Sequence, residues 1–362
     1  MGIEFKNKEI MQTKNFDFVD TIRCISMIGI VLEHSPAVGN DIYLNNVDTF
    51  IGALFIQLFK FSTIAFFLIG GFLINYKFQE YNSLQYLKNR FKNTIKPWLF
   101  WVFVFMVLTT IDRYVAYRKG GEGLLVTHFF QYLVELLNHA LFYTTYWFIL
   151  NFLICITILL IFKKFLYKIW FGVILGCISA IYSINIYYKW FITLHSAALF
   201  GFIFFLWLGI YLNKYYDKII VFLNQITWYP LLFLGFMSFG LAIAESFQLL
   251  SLGSKDAYNT LRISNILYSF IIFAMLLKIG NIPIIQKKFQ PRKTTFGIYL
   301  IHYLLISRFL PLLFQPLKLD YEHLSIWANT GILLIRFLIT YSLSFILTSI
   351  ILKTKLKWAV GQ

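Results

Sequence analysis

Apolar residues run along this chain in ten long blocks that short polar stretches separate. A helix needs about 20 apolar residues to cross the hydrocarbon core of a bilayer, and the blocks have about that length. A helix also satisfies its own backbone hydrogen-bonding groups, as lipid requires. The pattern therefore predicts an all-α, polytopic membrane helix bundle that forms one domain over residues 1–362. The predicted spans cover approximately 18–36, 50–75, 96–115, 144–162, 169–188, 195–212, 228–249, 263–280, 295–315 and 330–352.

The stretch 124–142 fits this scheme least well. It is apolar overall but contains several polar residues, which are His128, Gln131, Glu135, Asn138 and His139. Polar groups in this number are costly in the hydrocarbon core. We interpret the stretch as an interfacial or re-entrant helix.

Composition agrees with lipid as the solvent. Hydrophobic residues make up 59% of the chain and charged residues only 13%, whereas a soluble domain has about 25% charged residues. Residues 1–15 are polar and lack the apolar core and cleavage site of a signal peptide, so we expect the first block to remain as a span. Cys24, Cys155 and Cys177 have neither zinc-ligand nor disulfide spacing, and we expect small buried residues there.

Basic residues predict the orientation, because loops rich in Lys and Arg stay in the cytoplasm. Most of the 32 Lys and Arg residues fall in the termini and in the alternate loops that share their side of the membrane. Both termini are therefore predicted to be cytoplasmic. The net charge of +16 does not indicate a nucleic-acid partner, since these residues are scattered over short loops and form no single basic face. Anionic lipid is the expected partner of such loops.

The first span contains most of the ionisable residues that fall inside the apolar blocks. Arg23 and His34 are eleven positions apart, which is about three helical turns and roughly 16 Å along the axis, so both project from one face. Asp20 lies one turn before Arg23 and can pair with it. Taken singly, Arg23 is an arginine paired with Asp20 or extended to the interface, and His34 is an interfacial histidine. Together they indicate a polar stripe of the kind that a reaction path or an ion path requires.

An Arg-x10-His pair in the first helix resembles the signature of the acyltransferase-3 family of bacterial integral membrane acyltransferases. Further segments resemble family motifs in the same order along nearly the whole chain. They are STIAFFLIGGFLI (62–74), KNRFKNTIKPW (88–98), YWFILNFLI (146–154), FIFFLWLGIYL (202–212) and TTFGIYLIHYLL (294–305). The chain departs from the usual residues at Gly70 (serine), Asn93 (arginine) and Tyr303 (proline).

The resemblance implies a multi-pass acyltransferase of the bacterial cytoplasmic membrane. Such an enzyme moves an acyl group, often acetyl, from cytoplasmic acyl-CoA to a hydroxyl of an extracytoplasmic or lipid-linked surface glycan. Acyl-CoA is then a co-substrate, and neither a tightly bound cofactor nor a metal is expected.

Binding of the donor requires cations on the cytoplasmic side, because coenzyme A carries several phosphate charges. Arg90, which occupies the family position, lies with Lys92 and Lys96 in one predicted cytoplasmic loop. A second such loop contains Lys287, Lys288, Arg292 and Lys293. Positive-inside topology alone is an equal explanation of both loops. We expect Arg23, Arg90, Lys92 and Lys96 to bind the donor, whose pantetheine arm would run along the first helix towards His34.

Acyl transfer to a hydroxyl needs a base, and histidine suits that role near neutral pH. We expect His34 to be this base or a transient acyl carrier. His302 matches the closing histidine of the family and is the second candidate, with a buried structural histidine as the alternative. Glu33 is not expected to orient His34, because adjacent residues diverge by about 100° on a helix.

The sequence gives less support for a functional role of the other polar residues. Glu245 and Arg336, in the seventh and tenth spans, are expected to pair with each other or to line the cavity. Candidates for contact with an acceptor sugar are His128, Glu135, His139, Tyr143, Tyr146 and Trp147. Interfacial anchoring is the usual role of such aromatic residues.

Two other classes of protein are alternatives to an enzyme. A transporter of a glycan or small solute also needs polar residues at several depths, but the chain lacks the paired, broken segments of inverted repeats. A structural or regulatory membrane subunit would leave Arg23 and His34 without a role.

Overall fold

A computed structural model describes residues 16–36, 46–80, 83–120, 128–320 and 324–362, and this part of the chain is all α. In chain order, the helices are α1 (Asp17–Glu33), α2 (Asn46–Phe59), α3 (Ser62–Glu80), α4 (Ser83–Arg90), α5 (Lys96–Arg118), α6 (Phe129–Phe142), α7 (Trp147–Ile161), α8 (Ile169–Tyr188), α9 (Ile203–Lys214), α10 (Tyr216–Gln225), α11 (Trp228–Ser251), α12 (Ile263–Ile279), α13 (Pro283–Phe289), α14 (Pro291–Leu304), α15 (Leu310–Phe314) and α16 (Ile326–Leu352).

Within the described ranges, six helical stretches are long and apolar enough to cross a membrane. They are Phe50–Asn75, Leu84–Arg118, Ile169–Tyr188, Trp228–Ser251, Pro291–Leu317 and Ile326–Leu352. Two bent pairs, α6 with α7 and α12 with α13, raise the number to eight if each counts as one span. The shorter helices α1 and α9 lie outside that count. The predicted polytopic helix bundle is confirmed, whereas ten spans and cytoplasmic termini stay predictions.

The predicted interfacial or re-entrant stretch 124–142 is described only from His128 onwards. Its helix α6 has its buried residues Tyr132, Leu136 and Ala140 at four-residue intervals, so one face packs on the bundle. A bend of 72° separates α6 from α7. This geometry fits a re-entrant element and equally a broken span.

Helix α1 lies in the centre of the bundle. It contacts α2, α3, α12, α13, α14 and α16. Twelve of its 17 residues are buried, including Asp20. A helix surrounded in this way can carry charged residues because its neighbours, and not lipid, surround them.

Two glycines bring α3 and α9 into backbone contact. A Cβ atom on Gly71 would lie 1.9 Å from the carbonyl oxygen of Leu206, and one on Gly209 would lie 2.1 Å from that of Leu68. Small residues permit such close approach between membrane helices. The 12-residue helix α9 is therefore fixed on α3 by main-chain packing.

The segment after α16 folds back onto the bundle. Residues Lys355–Val360 form a 3-10 helix in which Ala359 and Val360 are buried. The indole Nε1 of Trp101 donates a hydrogen bond of 2.8 Å to the carbonyl of Ala359. The last residues consequently lie beside α5 and α14, at the end of the bundle where α1 begins.

Candidate active site

A cavity of about 730 Å³ opens between α1, α3, α7, α14 and the C-terminal segment. Its apolar wall includes Met27, Ile30, Phe66, Phe148 and Phe152. Its polar lining is concentrated where α1 begins. This polar end comprises Asp20, Arg23, Arg90, Asn93, Thr94, Arg292 and Gln362.

Three arginines converge on this polar end, which we call the arginine end (Arg23, Arg90 and Arg292). One carboxylate, Asp20, bridges two of them. Its Oδ1 accepts a 3.0 Å hydrogen bond from Nη1 of Arg23, and its Oδ2 accepts one of 2.6 Å from Nε of Arg292. Asp17 also pairs with Arg292 at 3.0 Å. The predicted pairing of Asp20 with Arg23 is present, and Arg292 joins it from α14.

Arg90 reaches the cavity from the end of α4. Its Nε donates a 2.7 Å hydrogen bond to the hydroxyl of Tyr86, and its guanidinium lies 5.1 Å from the centroid of that buried ring. A π-helical turn, Phe91–Ile95, follows directly, and turns of this kind are frequent at functional sites. Arg90 is thus held at the cavity wall by its own helix.

The structure does not bring the two predicted lysines into the cavity. Lys92 is exposed and is not part of the lining. Lys96 is also exposed, and its ammonium lies 4.5 Å from the ring centroid of Trp358 in the C-terminal segment. Of the predicted donor-binding residues, only Arg23 and Arg90 meet at the cavity.

One stripe on α1 leads away from the arginine end. Arg23, Met27 and Ile30 line the cavity at helical spacing, and His34 continues the same stripe one turn later. Both ends of the stripe face α14. Arg23 is linked to Arg292 through Asp20, and the ring of His34 lies 6.0 Å from that of His302, centroid to centroid. We call this second place the histidine end (His34 and His302).

His302 has a fixed proton arrangement. The imidazole is fully buried, and its Nδ1 lies 2.7 Å from the carbonyl oxygen of Tyr299, so Nδ1 carries the hydrogen and donates it. Its Nε2 has no hydrogen-bond partner among the described residues. In this tautomer Nε2 holds the free lone pair, which is the basic position of a neutral imidazole.

Tyr299 connects the cavity with the histidine end. Its side chain lines the cavity, and its ring centroid lies 5.9 Å from that of His302. The phenol donates to the carbonyl of Thr145, while the hydroxyl of Tyr146 donates to the carbonyl of Leu300 at 3.1 Å. The break between α6 and α7 therefore anchors the part of α14 that presents His302.

Glu33 does not orient His34, as expected. It pairs instead with Lys60, whose ammonium donates to the Glu33 carboxylate. Lys60 is 4% exposed and lies in the break between α2 and α3. This buried ion pair borders the histidine end, since both partners interact electrostatically with His34.

The histidine end has a further pair that the sequence analysis missed. His195, between α8 and α9, and Asp256, between α11 and α12, meet with Nδ1 and Oδ2 2.7 Å apart. His195 interacts electrostatically with Glu33 and His34, and its ring meets that of Trp147 edge-on at 5.4 Å. Burial would raise the pKa of Asp256, but the attraction and hydrogen bonds of His195, with help from Lys60, lower it to about 2.

The prediction for Glu245 and Arg336 is wrong. Glu245 accepts hydrogen bonds from the Tyr187 hydroxyl at 2.5 Å and from the backbone N–H of Ser264 at 2.9 Å. Arg336 donates from Nε to the carbonyl of Ser35 at 2.8 Å. Neither residue lines the cavity. Each side chain bonds to residues at nearby helix ends, and the two do not form an ion pair with each other.

The residues named as candidate sugar contacts divide by burial. Tyr146 and Trp147 are buried and pack inside the bundle. His128, Glu135, His139 and Tyr143 are exposed, and the rings of His139 and Tyr143 stack at 5.8 Å. The four exposed side chains lie on the surface of the bundle.

These features define a multi-pass membrane protein whose cavity extends from an arginine cluster to Tyr299, next to a pair of histidines. The sequence profile of a family described as an acyltransferase domain, acyltransferase 3, matches residues 16–351. The chain therefore belongs to the acyltransferase-3 family and is a membrane-bound acyltransferase with an acyl donor and an acceptor. Searches of curated proteins and of solved structures found no match.

Proposed function

We propose that this protein transfers an acyl group, acetyl in the first instance, from cytoplasmic acyl-CoA to a hydroxyl of an extracytoplasmic or lipid-linked surface glycan. The supporting observation is a cavity that begins among three arginines and ends at Tyr299, whose ring lies beside the imidazole pair of His34 and His302. A donor with a polyanionic head and a reactive tip requires a site with these two ends.

At the arginine end, Arg23, Arg90 and Arg292 would bind the phosphates of coenzyme A. A guanidinium presents a planar fork of donors that matches phosphate oxygens, and charge-assisted bonds of this type are strong. The predicted orientation places this end in the cytoplasm, where acyl-CoA is made. The volume of about 730 Å³ falls in the range of small-molecule sites.

The pantetheine arm would lie along the apolar stripe of Met27 and Ile30, so that the thioester reaches the histidine end. There an imidazole takes the proton of the acceptor hydroxyl as its oxygen attacks the thioester carbon. The new C–O bond forms, the C–S bond breaks, and the leaving thiolate receives the proton from the imidazolium. His34, at the end of the stripe, is the base that we propose, and His302, with its bare Nε2, is the second.

An alternative order of events uses the same two residues. A ring nitrogen of His34 first attacks the thioester carbon, so that a C–N bond forms, the C–S bond breaks and coenzyme A leaves as the thiolate. The glycan oxygen then attacks the acyl carbon and the C–N bond breaks. His302 removes the hydroxyl proton, which balances the proton that the thiolate takes up. The two routes differ in one observable species, an acyl-imidazole on His34. Protein incubated with radioactive acetyl-CoA in the absence of an acceptor, and separated quickly from free acetyl-CoA at neutral pH, would retain label only in the second route.

The decisive test uses purified protein in detergent or liposomes with acetyl-CoA and a panel of methyl glycosides. We expect release of free coenzyme A together with an acetylated sugar, and loss of both in His34→Ala although this variant remains folded and membrane-inserted. Full activity of His34→Ala would refute the role of His34. Movement of a sugar across liposomes without thioester cleavage would instead identify a transporter.

A cellular test addresses the acceptor. Surface glycan from cells with and without the protein should differ in O-acyl groups, and expression of His34→Ala should not restore them. Unchanged O-acylation in cells that lack the protein would exclude a surface glycan as the acceptor.

A further inference from the structure

His195 is held in one orientation by an unusually complete set of hydrogen bonds. A single oxygen of Asp256, Oδ2, accepts from the backbone N–H of His195 at 3.0 Å, from its ring Nδ1 at 2.7 Å and from Nδ2 of Asn259 at 3.0 Å. Because Asp256 is ionised and accepts only, Nδ1 carries the ring hydrogen. When the ring is neutral, the other nitrogen, Nε2, then presents a lone pair.

The loop around Asp256 is itself anchored from several sides. Asn259 donates to the carbonyl of Thr193 at 2.7 Å, so it ties this loop to the one that holds His195. The fully buried Arg262 donates from Nε to the carbonyl of Asn259 at 3.0 Å and from Nη2 to Gln57 at 2.7 Å. Binding residues need such support to keep a productive geometry.

The position of His195 distinguishes it from the other two histidines of the cluster. Its charged and titratable neighbours are Asp256 by direct contact and Glu33, His34 and Lys60 electrostatically. Yet its side chain is 23% exposed, whereas His302 is fully buried. It lies at the opposite end of the α1 stripe from the three arginines and can meet a molecule that never enters the donor cavity.

We infer that His195, held by Asp256, forms an acceptor subsite in which the lone pair of Nε2 accepts a hydrogen bond from a hydroxyl of the acceptor sugar. This inference rests on the proposed function, since it assigns the sugar side of the same reaction. The subsite holds the sugar next to His34 and takes no part in binding coenzyme A. An uncharged hydroxyl suits this place better than an anion would, because Asp256 and Glu33 already supply negative charge nearby.

Two substitutions of His195 separate its binding of the sugar from its role in connecting the two loops through Asp256. His195→Asn places an amide near the position of Nδ1, so it keeps the bond to Asp256 but removes the acceptor at Nε2. His195→Gln places its amide near the position of Nε2 and gives up the bond to Asp256. Lys189→Met is the structural control, because Lys189 joins the same two loops through its 3.1 Å bond to the carbonyl of Leu252 and is exposed.

Steady-state kinetics with acetyl-CoA and a methyl glycoside that the wild-type protein acetylates would test the subsite. We expect His195→Asn to raise KM for the glycoside on the order of tenfold, as for one lost hydrogen bond, with unchanged affinity for coenzyme A. His195→Gln should lose less, and Lys189→Met should behave as wild type. Thermal unfolding of each variant, followed in the same detergent, reports the structural effect separately.

The possible results lead to different conclusions. Wild-type kinetics in His195→Asn, or a loss that Lys189→Met shares, would overturn the subsite and leave the acyl transfer itself untouched. Equal loss of coenzyme A binding and glycoside binding would assign His195 a structural role and also overturn it. Absence of thioester cleavage in the wild-type protein would remove the proposed function, and the subsite with it.

Discussion

The buried ion pair between Glu33 and Lys60 permits a sharp prediction about stability. Lys60 is 4% exposed, and the Glu33 side chain is 13% exposed. Such a pair gains little over apolar residues of similar size, because both charges were taken out of water to form it. Removal of one partner, however, leaves the other charge buried and uncompensated, which costs about 3–5 kcal/mol.

We therefore expect Lys60→Met to lower the free energy of unfolding by about 3–5 kcal/mol. Because Glu33 precedes His34 directly, the same variant should also lose transferase activity. The double variant Glu33→Leu/Lys60→Met should recover most of the stability, since neither charge remains. Unfolding in detergent, followed by circular dichroism against added denaturing surfactant, measures both variants on one scale.

A different outcome would show which part of this reasoning fails. A cost of about 1 kcal/mol or less for Lys60→Met would mean that the pair behaves as a solvated surface pair. A double variant as unstable as the single one would mean that the two groups do more than neutralise each other. Met275→Leu, a volume-conserving change in α12, controls for substitution inside the bundle and should cost less than about 1.5 kcal/mol.

Three further predictions concern donor binding, helix packing and acid stability. Arg90→Gln should raise KM for acetyl-CoA by about 10- to 100-fold, as for a lost charge-assisted bond, and the exposed Arg118→Gln should not; equal effects would point to overall charge. Gly71→Val should lower the free energy of unfolding by about 3 kcal/mol or more and prevent the packing of α3 on α9, because a Cβ at position 71 would lie 1.9 Å from the Leu206 carbonyl oxygen. A normal yield of folded protein and a normal Tm would contradict this packing. The pKa of Asp256 is about 2 in the folded protein against 3.8 normally, so its stabilisation is full above about pH 4 and is lost as the pH falls towards 2; Asp256→Asn should flatten stability in that window, and an unchanged profile would refute it.

Much of the fold could be predicted from the pattern of apolar residues. The segments 50–75 and 169–188 coincide with helices of the structure, because lipid forces each long apolar block to satisfy its own backbone groups. Less could be predicted about bends. The turn of 95° between α12 and α13 comes from the sequence Gly280–Pro283, which periodicity alone does not convert into an angle.

The candidate site divides in the same way. Arg23 and His34 could be related because one helix fixes their spacing, so eleven positions in sequence determine their common face. His195 and Asp256 are 61 positions apart, in two loops, and no helical period connects them. The only available signal was a histidine at the start of the predicted span 195–212 and an aspartate in a loop on the same predicted side of the membrane. Lys92 and Lys96 lie outside the cavity lining, since closeness in sequence to Arg90 does not set the direction of a side chain.

Asp20 gives the resting enzyme an anion of its own. This carboxylate occupies donor groups of Arg23 and Arg292, so part of their positive charge is already balanced before any substrate arrives. An incoming molecule must outcompete a resident carboxylate, and one that carries a single negative charge, such as free acetate, gains little from the exchange. A molecule with several phosphates can bind Arg90 as well, and it can therefore displace the Asp20 carboxylate from Arg23 and Arg292. Selectivity for the thioester over its free acid would then begin at the arginine end, away from the histidines, because each substrate anion must compete with Asp20 for the arginines.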